Sequence, residues 1–106
     1  ISSVEAVQKD YVNDPLNHDK ISVRLFNEIY NHGLHAIEHA TDIKIPVLVA
    51  HGDDDGITSA DASKEFANNC PNANLKLWAG LRHDTHNEHN QDEVIDFYVD
   101  WVKGNI

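Results

Sequence analysis

Sulfur is almost absent from this chain of 106 residues, which has no methionine and a single cysteine, Cys70. One cysteine cannot form an intrachain disulfide, which is compatible with a reducing compartment, and we therefore expect a cytoplasmic protein. Because the chain begins with Ile1 and contains no methionine, we expect it to be a piece of a longer protein. A chain of this length forms at most one domain.

Basic residues are also few, with 8 Lys and Arg against 18 Asp and Glu, for a formal net charge of -10. Nucleic acids and anionic membrane surfaces attract basic patches, so this balance argues against both as partners. Long apolar runs are missing too. No stretch approaches the ~20 residues of a membrane span, so we expect no stable membrane insertion. Apolar residues still make up 41% of the chain, which is enough for a modest core.

One short apolar run, Ile45–Ala50, dominates the organisation of the chain. It lacks polar alternation, which predicts a strand buried on both faces of a parallel sheet, and Pro46 is tolerated because it lies near the strand's start. The run passes directly into His51, Gly52 and three aspartates at positions 53–55. Carboxylates at the carboxyl end of a parallel strand lie where open α/β sheets place their chemistry, although the same residues also suit a plain acidic turn.

The remaining periodicity predicts an alternation of helices and strands. In chain order we expect a helix from about Lys20 to Ala40 with Asp19 as N-cap, the strand Ile45–Ala50, a helix from Ser59 to about Asn68 whose capping motif begins at Thr58, a strand over Leu75–Trp78, and a helix from Asn90 to Gly104. Residues 1–20 predict irregular structure with a short helical turn near Val4–Gln8, and Gly33 predicts a weak point in the first long helix. This order is typical of parallel βαβ units. Because an apolar strand needs neighbours on both sides, two strands indicate the last part of a larger doubly wound sheet.

The loop after the second predicted strand carries a cluster of histidines, in the sequence Gly80-Leu81-Arg82-His83-Asp84-Thr85-His86-Asn87-Glu88-His89. Because successive parallel strands of a βαβ unit end side by side, an acid just past the first strand can meet a histidine just past the second. A carboxylate bonded to one imidazole nitrogen fixes the tautomer and leaves the other nitrogen to act as a base. Asp55 and His83 are candidates for such a pair.

Two other interpretations of the histidines are open. The first is a metal site in the same loop, built from His83, Asp84, His86, Glu88 and His89, although its spacing differs from the i, i+4 pair of zinc-binding helices. The second is structural, with His86 and Glu88 pinning the loop and His51 packing or hydrogen-bonding under the acidic turn. The histidines that flank the first long helix, at positions 32, 35 and 39, are explained by a solvated helix face.

Two motifs, in the right order and separation, give the chain a resemblance to a known family. His51-Gly52-Asp53-Asp54-Asp55 is similar to the His-Gly-x-x-Asp signature of α/β-hydrolases of the monoacylglycerol lipase and lysophospholipase group, also grouped with serine aminopeptidase-like hydrolases. Gly80-Leu81-Arg82-His83 followed by His86-Asn87-Glu88 is similar to the histidine loop of that group. Asn13-Asp14-Pro15-Leu16 also resembles the end of its cap region, so the resemblance covers nearly the whole chain.

The resemblance implies an α/β fold, namely the C-terminal portion of a doubly wound α/β-hydrolase sheet with two strands and about three helices. Residues 1–20 would be the end of a cap and residues 21–106 part of the core. It further implies that Asp55 is the triad acid and His83 the catalytic histidine, with no cofactor and no metal. The nucleophile of the family is a serine in a Gly-x-Ser-x-Gly turn, a motif that this sequence lacks. We therefore predict a piece of a carboxylic ester hydrolase acting on lipid-like esters and inactive by itself.

The alternative is a non-catalytic structural module. An apolar strand with an open edge favours pairing with another chain, because its unpaired backbone groups form a template for a further strand. We therefore predict that the isolated chain forms homo-oligomers.

Overall fold

In the computed structural model, which describes residues 1–106, two parallel strands form the sheet, β1 (Val47–Gly52) and β2 (Ala73–Trp78). Val47 pairs with Ala73 and Gly52 pairs with Trp78, so both strands end at the same edge. The chain also forms four helices, α1 (Glu5–Asn13), α2 (Val23–Glu38), α3 (Ala60–Asn69) and α4 (Gln91–Gly104), with 3-10 turns at Ala40–Asp42 and Thr85–Asn87. The predicted alternation of helices and parallel strands is confirmed, with one helix more than expected.

Different helices cover the two faces of the sheet. Trp78, at the end of β2, packs edge-on against Phe97 of α4, with ring centroids 5.5 Å apart. His51 of β1 lies one step earlier in the register and therefore on the opposite face, because side chains alternate along a strand. There its ring meets Ser63 of α3. The helices α3 and α4 thus lie on opposite sides of the sheet, as in a doubly wound fold.

The hydrophobic core lies beside the carboxyl end of β2. Trp78, Leu81 and Val94 are buried, and Phe97 and Tyr98 pack against them. Burying a large apolar side chain contributes about 1.5–3 kcal/mol, so this cluster holds α4 against the sheet. Because Leu81 belongs to the loop that follows β2, the same cluster also fixes the start of that loop.

The first strand is less buried than predicted. Residues 47–51 are half-buried and only Gly52 is buried, because β2 alone pairs with β1. The strand begins at Val47 rather than Ile45, since Pro46 has no N–H to donate, and the Val47 N–H makes the first bond, to Asn72 O at 3.1 Å.

The sequence of α2 carries a wide apolar face, which is typical of a helix that packs on a sheet, but in residues 1–106 this face is not covered. Its large side chains are each more than half exposed, namely Leu25, Phe26, Ile29, Tyr30 and Leu34. α2 packs against α3 instead. Two strands about 5 Å apart offer room for one helix of about 10 Å on each face, and α3 already occupies the face toward α2.

Two helices begin later than predicted because other residues cap them. Ser22, not Asp19, caps α2, and its hydroxyl accepts the Leu25 N–H at 3.1 Å. Ser59, not Thr58, caps α3. The hydroxyl of Thr58 is used by a carboxylate of the candidate site instead.

The remaining helices differ from expectation in smaller ways. α1 is a helix of 9 residues, where the sequence predicted only a short turn, and a Glu5–Lys9 ion pair at 2.7 Å spans one turn of it. α2 passes through Gly33 without the predicted break. α4 ends at Gly104, as predicted.

None of the four helices combines the length and the apolar character that a bilayer crossing requires.

Candidate active site

The three aspartates after β1 occupy three different environments. Asp53 Oδ1 accepts the Gly80 N–H at 2.6 Å and so ties the turn after β2 to the turn after β1. The Asp54 side chain is 67% exposed and lies 3.8 Å from the Arg82 guanidinium. The Asp55 side chain is only 2% exposed. Asp55 is therefore the carboxylate that faces inward at the edge where the strands end.

A tight turn holds the Asp55 carboxylate in place. Its Oδ1 accepts the N–H groups of Ile57 at 2.7 Å and Thr58 at 3.2 Å, and its Oδ2 accepts the Thr58 hydroxyl at 2.7 Å. Aspartate favours such turns because its short side chain bonds backbone groups two or three residues later. Sequence reasoning missed Thr58 as a site residue, since its place before a helix suggested a capping role.

His83 lies directly against Asp55, 28 positions away in the sequence, with Nδ1 at 2.9 Å from Oδ2. An ionised carboxylate only accepts hydrogen bonds, so His83 Nδ1 carries the proton and Nε2 has the lone pair. Nε2 makes no hydrogen bond within the chain, and the side chain is 37% exposed. The structure thus brings the two predicted residues together and leaves a basic nitrogen accessible.

The path of the loop after β2 explains why His83 reaches Asp55. Gly80 turns the chain with a φ of +71°, a conformation that costs side-chain-bearing residues energy. The backbone then passes across Gly52, where a Cβ atom would collide with the carbonyl groups of Leu81 and Arg82. The absence of a side chain at Gly52 therefore lets the loop approach the end of β1.

A second buried carboxylate, Glu88, anchors the far end of this loop. Its Oε1 accepts the Arg82 N–H at 3.0 Å, and its two oxygens accept the Ser3 N–H at 3.0 and 3.1 Å and the Ser3 hydroxyl. The fully buried Ser2 adds a hydrogen bond from its hydroxyl to Asn87 O at 2.8 Å. The first residues of the chain are therefore tied to the histidine loop. Glu88 pins the loop, as the sequence suggested, whereas no local pattern indicated either serine.

Both buried carboxylates are ionised at neutral pH. Burial opposes ionisation of Asp55, but hydrogen bonds from His83 and from residues 57 and 58 outweigh it and hold the pKa of Asp55 well below its usual range. Burial also opposes ionisation of Glu88, and its hydrogen bonds to Ser3 and Arg82 again lower the pKa. Asp55 therefore remains an acceptor for His83 throughout the physiological range.

A further histidine, His51, contacts the same carboxylate. Its Nε2 lies 2.9 Å from Asp55 Oδ2, and its Nδ1 lies 2.7 Å from Ser63 Oγ on α3. The sequence predicted that His51 would pack or hydrogen-bond under the acidic turn, and in the structure it lies there with a hydrogen bond to Ser63. Ser63 was not singled out as a site residue because it lies within a helix, 12 positions from His51.

No group of three or more His, Cys, Asp and Glu side chains is arranged to hold a metal ion. Glu88, one of the suggested ligands, is bonded to Ser3 and Arg82 instead. His86 and His89 are exposed on the loop.

Two clefts give access to the imidazole of His83. A cleft of about 390 Å³ is lined by Ile1, Asp54, Ile57 and Arg82 together with the Asp55–His83 pair. A smaller cleft of about 170 Å³ is lined by His51, Thr58 and Thr85 together with the same pair. The His83 ring can therefore be reached from solvent through both clefts.

Parallel strands with helices on both faces, and a carboxylate next to a histidine at the strand ends, are features of α/β-hydrolases. The sequence profile described as serine aminopeptidase, S33 matches residues 1–90, and the chain belongs to this family.

Named relatives agree with this assignment. The chain is 33% identical over 109 residues to an uncharacterized abhydrolase domain-containing protein of Dictyostelium discoideum, across 100% of this chain and 12% of that protein. It is 32% identical over 106 residues to a putative monoglyceride lipase of Schizosaccharomyces pombe, across 96% of this chain and 28% of that protein. The crystal structure of Paleococcus ferrophilus monoacylglycerol lipase superposes with a TM-score of 0.92 at 26% identity, over 99% of this chain and 42% of that one. The chain thus spans less than half the length of each relative, and the predicted resemblance is confirmed.

Proposed function

We propose that residues 1–106 supply the acid and the base of a serine-dependent carboxylic ester hydrolase acting on glycerolipid-like or lysophospholipid-like esters. The contact that carries the proposal is the 2.9 Å distance between the buried Asp55 carboxylate and His83 Nδ1. It leaves His83 Nε2 free to accept a proton from a nucleophile. The names of two relatives, a putative monoglyceride lipase and a monoacylglycerol lipase, support the substrate class.

In the proposed reaction, His83 Nε2 takes the proton of a serine hydroxyl as the serine oxygen attacks the ester carbonyl carbon. The Asp55 carboxylate stabilises the imidazolium that forms. The imidazolium then gives its proton to the departing alcohol oxygen as the ester C–O bond breaks, and an acyl-enzyme remains. Water attacks this acyl-enzyme while His83 again takes and returns one proton.

The attacking serine is proposed to lie outside residues 1–106. No serine of this sequence is flanked by the glycines of a nucleophile turn, as inspection of Ser2, Ser3, Ser22, Ser59 and Ser63 shows. Ser2 is buried and Ser63 is bonded to His51. The isolated chain is therefore proposed to lack triad turnover, a loss of about 10⁶ in rate by comparison with other triads without their serine.

The test measures hydrolysis of p-nitrophenyl butyrate by the isolated chain and by the whole protein that contains it. The proposal expects turnover by the whole protein, loss of that turnover on His83→Ala, and unchanged turnover on His89→Ala, the exposed control in the same loop. The matching anilide should react more slowly than the ester. Undiminished hydrolysis by the His83→Ala protein would refute the role of His83, and turnover by the isolated chain would refute its proposed inactivity.

We also propose that residues 1–20 form the end of a cap that covers the acyl-binding pocket. Ile1 lines the larger cleft beside His83, and Ser3 is bonded to Glu88 of the histidine loop, so this segment lies at the candidate site. Substitutions of Ile1 should therefore change the KM for longer acyl esters more than the KM for the butyrate ester. Equal changes for both esters would contradict the cap assignment.

A cytoplasmic location is proposed as well. Cys70 is a buried free thiol, which is compatible with a reducing compartment. Fractionation of cells that express the whole protein checks this, and recovery from the medium would contradict it.

Self-association of the isolated chain is a second candidate function, favoured by the exposed apolar face of α2. Phe26, Ile29 and Tyr30 are 58%, 58% and 60% exposed on one helix. Burying apolar surface contributes about 25 cal/mol per Å², so pairing of such faces between copies is favourable. Light scattering of the purified chain over a range of concentrations should give a molar mass above that of a monomer, and a monomer at every concentration would contradict it.

A further inference from the structure

The residues on either side of His83 each donate a backbone hydrogen bond. The Asp84 N–H donates to the Ile1 carbonyl oxygen at 2.8 Å. The Arg82 N–H donates to Glu88 Oε1 at 3.0 Å. Neither acceptor belongs to a strand or a helix. The backbone of His83 is therefore held by two partners that lie outside the sheet and the helices.

Glu88 is itself held by the beginning of the chain. Its side chain belongs to a residue that is only 4% exposed, and its two oxygens accept the Ser3 N–H at 3.0 and 3.1 Å and also the Ser3 hydroxyl. The Ser2 hydroxyl donates to Asn87 O at 2.8 Å. A buried carboxylate is stable only where donors fill its lone pairs, so the place of Glu88 depends on these residues. Residues 1–3, here named the N-terminal strap, thus bond to both ends of the segment that carries His83.

The N-terminal strap also joins this segment to α1. The Ser2 carbonyl oxygen accepts the side-chain amide of Gln8 on α1 at 2.8 Å and Arg82 Nη1 at 3.2 Å. A single oxygen atom therefore links α1 to the residue that precedes His83. No residue of α1 is buried, so apolar packing contributes little to its attachment within residues 1–106, and these hydrogen bonds connect it to the histidine loop.

We propose that the N-terminal strap positions His83, with Ser3 and Glu88 acting on it through the Arg82 backbone and Ile1 acting through the Asp84 backbone. Ser3 and Glu88 are thus positioning residues, which keep His83 Nδ1 on the Asp55 carboxylate. Because the strap continues into α1, a displacement of α1 changes the placement of the base. The catalytic meaning rests on the proposed function, whereas the placement of the ring does not.

The first test follows the His83 ring and its neighbours in the chain of 106 residues. Glu88→Gln leaves one oxygen for donors from Ser3 and Arg82. The Arg82 and Asp84 amides should then exchange hydrogen at least about tenfold faster, as expected when a charge-assisted hydrogen bond is weakened. With 15N-labelled histidine, long-range 1H–15N spectra should show a smaller fraction of the neutral His83 ring with its hydrogen on Nδ1.

The controls separate positioning from general loss of stability. Asn69→Ala removes a hydrogen bond from Asn69 Nδ2 to Ile37 O, 3.1 Å long, which lies outside the histidine loop. It should leave the His83 ring signals unchanged. Ser3→Ala should change them in the same direction as Glu88→Gln, and Ser3→Thr, which keeps the hydroxyl, should restore them. Unchanged His83 signals in Glu88→Gln, or an equal change in Asn69→Ala, would overturn the proposal. If Glu88→Gln does not fold, the two Ser3 variants decide.

The second test measures hydrolysis of p-nitrophenyl butyrate by the whole protein. A displacement of about 1 Å in a reacting group can cost about 100-fold in rate, so Glu88→Gln should lower kcat by about 10- to 100-fold. KM should stay within about twofold, because the strap acts on the base rather than on the bound ester. A rise in KM with unchanged kcat would contradict the positioning role.

The two tests distinguish a failure of this inference from a failure of the proposed function. If hydrolysis survives His83→Ala while the ring signals respond to Glu88→Gln, the proposed function fails and the role of the N-terminal strap stands. If His83 proves essential while neither its ring signals nor kcat respond to Glu88→Gln, the proposed function stands and the role of the strap is refuted.

Discussion

Replacing Asp55 with asparagine changes the carboxylate, which only accepts hydrogen bonds, into an amide whose oxygen accepts and whose nitrogen donates. Asparagine keeps one oxygen, which can still accept the two backbone N–H groups of residues 57 and 58. Its amide nitrogen then faces the two groups that donate to Asp55 Oδ2 in the structure, His83 Nδ1 and the Thr58 hydroxyl. His83 can accept from the new N–H group only by changing tautomer, and the Thr58 hydroxyl loses its acceptor.

The size of the effect follows from these two hydrogen bonds. Hydrogen bonds to a charged partner are about twice as strong as neutral ones, and a typical net contribution is about 0.5–1.5 kcal/mol. Two weakened bonds around a side chain that is 2% exposed therefore lower the free energy of unfolding by about 1–3 kcal/mol at neutral pH. For a domain of this size, about 4 °C of Tm per kcal/mol converts this to roughly 4–12 °C.

The lowered pKa of Asp55 determines how this difference in stability changes with pH. The pKa of Asp55 is lowered in the folded state, so its stabilisation is complete above the unfolded value of about 4 and is lost as the pH falls toward the folded value. The loss is at most about 1.4 kcal/mol per pH unit. Asparagine does not titrate, so the difference in stability between the two proteins should narrow as the pH falls below about 4.

Urea unfolding followed by circular dichroism measures this difference. Asp54→Asn is the matched control, because Asp54 is an exposed neighbour whose 3.8 Å contact with Arg82 should contribute less than about 0.5 kcal/mol. A loss of unfolding free energy in Asp55→Asn no larger than in the control would refute the role of the Asp55 hydrogen bonds. A difference from the unaltered chain that stays constant as the pH is lowered would refute it as well.

Three other substitutions test the remaining parts of the account. Gly52→Ala should lower the free energy of unfolding by about 2 kcal/mol or more, or prevent folding, because the new Cβ meets the backbone carbonyl groups of Leu81 and Arg82. Gly56→Ala is the control, because its Cβ meets open space, and it should lower the free energy of unfolding by less than about 0.5 kcal/mol in the same urea titration. Glu88→Gln should cost about 1–3 kcal/mol in thermal unfolding at neutral pH, since the charge-assisted bonds to the first residues are lost, and an unchanged Tm would contradict the anchoring role. Ile29→Glu should lower the molar mass measured by light scattering, because it places a charge on the exposed apolar face of α2. Glu28→Gln should leave the molar mass unchanged, and equal molar masses for the two variants would contradict α2 as the contact surface.

Topology made the candidate site predictable. An apolar run without alternation indicated β1, and the rule that parallel strands end side by side placed Asp55 near His83 although 28 positions separate them. The choice of Asp55 among three aspartates came from the family motif. In the structure Asp55 contacts His83, whereas Asp53 accepts the Gly80 N–H and the exposed Asp54 lies 3.8 Å from Arg82.

Other features could not be read from local patterns. Glu88 meets Ser3 across 85 positions, and neither serine stands out among its neighbours. The capping residue of α3 depended on a competition that only the folded chain decides, since the Thr58 hydroxyl bonds Asp55 and leaves Ser59 as the cap. The wide apolar face of α2 indicated a buried helix, but a sheet of two strands has room for only one helix on that side.

The central claim is that Asp55 orients His83 as the base of an ester hydrolase, and kcat for p-nitrophenyl butyrate in the whole protein tests it most directly. Asp55→Asn leaves His83 in the wrong tautomer and should lower kcat by about 10⁴-fold, the loss that this change causes in another triad. Asp54→Asn should leave kcat within about twofold, because its side chain is 67% exposed and its ion pair is with Arg82. Equal kcat values for the two variants would contradict the account.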